Sequence, residues 1–170
     1  MDGTAPTENA TGKGTRRFGS LGQVATNLAS VVRVSPELWR VYRGDIPPAL
    51  RERIMVAVSR ANACAGCSRV HQRWALGAGV TDDELEALGL DDLKHLDARS
   101  RTAVVYAIER STAGFPGAAG APSDDPTVAT AMAEHFSPQE ARQVDAIARG
   151  ITFANLSVGS AEALGERLAR

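Results

Sequence analysis

The sequence predicts an all-α protein, a compact bundle of about six to seven helices. Three observations point there. Apolar residues make up 44% of the chain but aromatics only 5%. A core of Ala, Val and Leu close-packs between helices, whereas a β-sandwich needs more Tyr, Phe, Trp and Thr. Helix-start signals recur along the chain at Ser35-Pro36-Glu37, Thr81 to Glu84 and Ser137 to Glu140. Neither a clear hairpin signal nor an internal repeat is present. At 170 residues the chain fits one domain, long enough to bury a core without disulfide staples or a structural metal.

Met1 to Gly19 is rich in Gly, Thr, Asn and Lys and nearly free of apolar residues. It is expected to be a disordered tail, with one helical domain over 20–170. The first ordered element begins near Ser20. In the next start, Ser35 can cap, Pro36 suits the first helical position and Glu37 favours the positive dipole end. Pro47 and Pro48 end one segment and begin another. Ile54 to Val58 could be a short strand, but Arg51-Glu52-Arg53 precede it without turn residues. The non-alternating pattern from Pro48 to Arg60 therefore reads as a helix buried on most sides.

A second helix is expected from Ala63 to Leu76, with Asn62 as its cap and Gly77 and Gly79 as its stop. Thr81 to Glu84 form a capping box that opens a short helix to Leu88. The stretch from Leu96 to Ser111 reads as a helix with Val104, Val105 and Ile108 as its apolar stripe. Ala113 to Pro126 is a Gly/Pro/Ala loop, long for a compact helical domain, and reads as a solvated connection rather than a lid. Thr127 to Phe136 is helical. Ser137 then caps a long helix to Val158, where Gly159-Ser160 are expected to break it before a last segment.

Charge and hydropathy exclude several classes. The chain has 19 basic and 20 acidic residues, a formal net charge of -1, with no basic footprint for nucleic acid. No apolar run reaches membrane-span length. Arg16-Arg17-Phe18 resembles a twin-arginine export signal, but Gln23, Asn27 and Arg33 interrupt the stretch that follows. The two cysteines are closely spaced and do not make a secreted disulfide framework. Such a pair indicates redox chemistry or metal binding in a cytoplasmic setting.

Both cysteines lie in "ACAGCSRVHQ", Ala63 to Gln72. Cys64, Cys67 and His71 are three and then four residues apart, so a helix returns all three to one face. In a first helical turn Cys64 would have its thiol pKa lowered by the backbone N–H groups. His71 could instead take the proton of Cys67. Two thiols this close can also close a disulfide, so that a sulfenic acid on one is resolved by the other. Other readings of these residues are two small core cysteines, or three ligands of a zinc site with Glu52 as a fourth. A structural zinc site usually draws on a second close pair, which is absent, and no metal or cofactor is expected. A thioredoxin-like fold would need alternating strands. His95 reads as surface, and His135 suits a helix C-terminus. Trp74 is expected in the core or at a subunit interface.

The pattern E-x(11)-C-x-x-C-x-x-x-H, carried by Glu52, Cys64, Cys67 and His71, resembles the alkylhydroperoxidase D branch of the carboxymuconolactone decarboxylase family. The flanks from Ile46 to Leu88, and His135 to Leu156, are similar as well, so the resemblance spans roughly Ser35 to Asn155. It implies an all-helical fold and a homo-oligomer, either a trimer or a dimer and hexamer. It also implies a thiol peroxidase or disulfide reductase acting on an organic hydroperoxide. By the resemblance, Cys67 attacks, Cys64 resolves, and Glu52 with His71 relays a proton. A dihydrolipoyl group or another dithiol on a partner protein supplies electrons. This chain departs from the pattern at Gly66, where family members often carry a histidine. Ala113 to Pro126 looks like an insertion. Branches that decarboxylate a lactone lack the cysteine pair. Two other functions fit the residues: a non-catalytic or redox-sensing helical oligomer, and acid–base chemistry on a carbon acid by Glu52 and His71 alone.

Overall fold

The computed structural model describes residues 15–89, 93–115 and 117–169. Of the tail expected at 1–19, residues 1–14 lie outside them. Among the described residues there are eight α-helices and no strand. They are α1 (Leu21–Arg33), α2 (Ser35–Arg40), α3 (Pro48–Ala61), α4 (Ala65–Gly77), α5 (Asp82–Gly89), α6 (Ala98–Ala113), α7 (Pro126–His135) and α8 (Pro138–Leu168). A π-type turn at Val41–Asp45 joins α2 to α3, and a 3-10 turn at Leu93–His95 precedes α6.

The core forms where α3 meets α4, α6 and α8. Ile54, Val56 and Val58 of α3 are each 0% exposed, so this helix is covered on most sides, as its non-alternating pattern predicts. Val104 and Ala107 of α6 and Val144, Ile147 and Ala148 of α8 complete the same cluster. Small residues at these crossings let the helices approach closely, which is how a core poor in aromatics reaches native density.

Several boundaries differ from expectation, each for a local reason. Ser35 does not cap: it is already helical, and Val34 stands at the N-cap of α2 without a side-chain bond. Asn62 is the C-cap of α3, not the N-cap of α4, and Cys64 takes that position. The buried face of α6 runs through Ala103, Val104, Tyr106, Ala107 and Arg110, while Val105 and Ile108 are only half-buried. The final helix does not break at Gly159; α8 runs unbroken for 31 residues in all, Pro138–Leu168. Gly159 is there for close approach, since a Cβ would collide with the Arg16 carbonyl oxygen.

That contact also corrects the tail boundary. Thr15 to Gly19 dock on the body of the fold. The Arg16 amide donates to the Asn62 carbonyl at 2.9 Å, and its guanidinium to Asn62 Oδ1 at 2.7 Å. Phe18 packs on Phe153 with ring centres 5.7 Å apart.

The connection between α6 and α7 is held rather than merely solvated. Phe115 is 8% exposed, and the Tyr106 hydroxyl donates to the Ala121 carbonyl at 2.8 Å. Beneath the connection Asp145 is bonded by Arg110 at 2.9 Å and Arg149 at 2.6 Å. Unsatisfied loop carbonyls are costly to bury, and the charged donors of α6 and α8 meet them.

Candidate functional site

Glu52 lies on α3 among apolar residues and is 1% exposed. A buried carboxylate is tolerated only when its oxygens are bonded. Both are. Glu52 Oε2 lies 2.9 Å from His71 Nδ1 of α4, and Arg51 Nε donates to Oε1 at 2.9 Å. Burial pushes the Glu52 carboxyl up, while the bonds and charges of His71 and Arg51 pull it down further, so its pKa is lowered on balance. With Nδ1 committed to the carboxylate, the ring nitrogen that remains for other chemistry is Nε2. Trp74 meets the imidazole edge to face, with ring centres 5.1 Å apart.

The turn between α3 and α4 carries the cysteines. Its chain reversal passes through Ala63 at φ 54°, a left-handed conformation that costs a residue with a Cβ some strain. The backbone then fixes Cys64 at both ends: its amide donates to the Ser59 carbonyl, and its carbonyl accepts from the Ser68 amide, each at 2.9 Å. Cys64 is 1% exposed, whereas Cys67 is half-buried. Their sulfurs are joined in a disulfide, with Cα atoms 5.4 Å apart, a separation ordinary for such bonds.

The structure therefore brings the four predicted residues together as two pairs, Glu52 with His71 and Cys64 with Cys67. Helix α4 links the pairs, since His71 follows Cys67 by one helical turn. In this disulfide form no hydrogen bond joins His71 to either sulfur among the described residues. Gly66 sits between the cysteines with nothing within 4 Å of where its Cβ would be. Among the described residues, no group of three or more His, Cys, Asp and Glu is placed to hold a metal ion. Trp74 is not in the core: it is 57% exposed. His95 is exposed, and His135 ends α7.

Sequence reasoning missed Arg51. Adjacent helical residues do not normally face one another, so its position beside Glu52 gave no signal. Arg51 nonetheless reaches the Glu52 carboxylate through its long side chain, and its guanidinium lies 4.8 Å from the centre of the Tyr42 ring.

Residues 31–109 match the model of the Carboxymuconolactone decarboxylase family, a stretch that contains Glu52, Cys64, Cys67 and His71. No curated protein and no solved structure matches the chain. Among the described residues no helix is long and apolar enough to cross a membrane.

Proposed function

We propose that this chain, similar to the carboxymuconolactone decarboxylase family over residues 31–109, is a dithiol oxidoreductase of the alkylhydroperoxidase D type. It reduces an organic hydroperoxide through Cys64 and Cys67. The observation that carries the reading is the bonded Glu52–His71 pair on the same two helices as the Cys64–Cys67 disulfide.

In the reduced enzyme His71 Nε2 takes the Cys67 proton, and Glu52 stabilises the imidazolium that forms. The Cys67 thiolate attacks the hydroperoxide. A sulfur–oxygen bond forms, the oxygen–oxygen bond breaks, and the alkoxide leaves as an alcohol with the proton held by His71. Cys67 is now a sulfenic acid. The Cys64 sulfur attacks it, forming the disulfide and releasing water, which carries the Cys64 proton. A dithiol reductant, such as a dihydrolipoyl group on a partner protein, restores both thiols and becomes a disulfide itself. The greater exposure of Cys67 suits it to meet substrate, and the buried, backbone-pinned Cys64 suits the resolving role. The enzyme works as a cytoplasmic homo-oligomer.

Mass spectrometry after stoichiometric organic hydroperoxide tests the assignment. Cys64→Ser should accumulate a sulfenic acid on Cys67, and Cys67→Ser should consume no peroxide. A sulfenic acid on Cys64 in the second variant would reverse the roles.

A further inference from the structure

The two oxygens of Glu52 are bonded from different directions. His71 comes from α4 to Oε2, and Arg51 comes from α3 to Oε1, each at 2.9 Å. Two such bonds fix the plane of the carboxylate, where one would leave it free to rotate. Arg51 is itself held. Its guanidinium lies 4.8 Å from the centre of the Tyr42 ring, a cation–π contact. Tyr42 belongs to the π-type turn, which Gly44 bends at φ 106°. The Arg51 side chain is 17% exposed, and Tyr42 is 58% exposed, so the ring forms the outer layer of the stack. The neighbouring Arg53 cannot stand in, because it bonds Glu84 at 2.8 Å.

We propose that Arg51, stacked against Tyr42, is a positioning residue that holds the Glu52 carboxylate ionised and in plane for His71. The inference rests on the reading of Glu52 and His71 as the relay for Cys67. Without Arg51, a carboxylate this buried lowers its cost by binding a proton. Protonated, it still accepts the Nδ1–H bond through its carbonyl oxygen but carries no charge to stabilise the imidazolium that His71 becomes when Nε2 takes the thiol proton. The charged groups that face Glu52 are His71 on α4 and Arg51 on α3. Two other buried or half-buried carboxylates on the elements around α3 are engaged elsewhere: Glu84 of α5 with Arg53, and Asp145 of α8 with Arg110 of α6 and Arg149.

The test follows alkylation of Cys67 by iodoacetamide across pH, in a full-length Cys64→Ser background where Cys67 is the one thiol. No peroxide is involved, so the result does not depend on peroxidase turnover. The parent should show an acid limb that Glu52→Gln alters. Arg51→Gln should move the midpoint of that limb up by about one pH unit, as expected for loss of an adjacent opposite charge. Arg51→Lys and Tyr42→Phe should retain the parent midpoint, since each keeps the charge or the ring. A purely structural role for Arg51 would lower thermal stability and leave the midpoint unmoved. If Arg51→Gln fails to fold, Tyr42→Ala at its exposed position carries the test, with a shift in the same direction. A parent profile insensitive to Glu52→Gln overturns the relay and this inference together. A profile sensitive to Glu52→Gln but not to Arg51→Gln overturns the inference alone.

Discussion

Glu52 and His71 are 19 residues apart in the chain and 2.9 Å apart in space. The bond exists because α3 and α4 fold back on each other through the turn that also carries Cys64. One packing event therefore assembles the acid–base pair and sets the depth of the first sulfur. Docking of Arg16 on Asn62 braces the same turn from outside.

Gly66 is the position where the family resemblance is weakest, and it is sterically open. Gly66→His is predicted to fold with unchanged or slightly raised thermal stability. Replacing a helical glycine gains up to about 0.5 kcal/mol. Hydroperoxide turnover should rise, because the relay gains a second imidazole. A fall in melting temperature of more than about 5 °C would show that the position is not open.

Asp145 is 0% exposed and bonded by two arginines. Asp145→Asn leaves two buried cations without their counter-charge. It should cost about 3–5 kcal/mol, the range for breaking a buried pair, read as a lower urea midpoint. A loss under about 1 kcal/mol would mean that the cluster does not hold the α6–α7 connection in place.

Glu140 gives a pH signature. The bond from Arg99, then the amide of Ser137, hold its carboxyl down at about 2, against an ordinary 4.5. A depressed folded-state pKa contributes stability that is complete above the unfolded value and is lost as pH falls through the folded one. The contribution should fade between about pH 4.5 and 2. Arg99 and Glu140 are both about one-third exposed, so solvent screening limits it to less than about 1 kcal/mol. Acid unfolding of Glu140→Gln, compared with the parent, should show a flatter dependence in that window. Identical curves would contradict the assignment. The lowered pKa of Glu52 acts with the same sign.

Helix identity was legible where capping chemistry is local. Thr81 and Glu84 exchange the two bonds of a capping box, and Ser137 and Glu140 do the same. It failed where tertiary contact decides. Gly159 reads as a break because glycine disfavours helix, yet α8 passes through it, since the Arg16 backbone needs the room. The α6–α7 connection reads as solvated because its anchors, Tyr106 and Asp145, are distant in sequence. At the site, helical spacing placed Cys64, Cys67 and His71 on one face. Glu52 joined them through the family pattern rather than through any local signal. Arg51 was invisible because only the fold brings Tyr42 against it.

The most direct measurement is steady-state consumption of an organic hydroperoxide with dihydrolipoamide as reductant, compared across Glu52→Gln, Cys64→Ser, Cys67→Ser and His71→Gln. The account predicts turnover in the parent and none in Cys67→Ser. Cys64→Ser should not cycle, and the Glu52 and His71 variants should lose about 10²-fold or more, the scale of a proton-transfer contribution. Absence of turnover in the parent, or activity that survives loss of both cysteines, would contradict it.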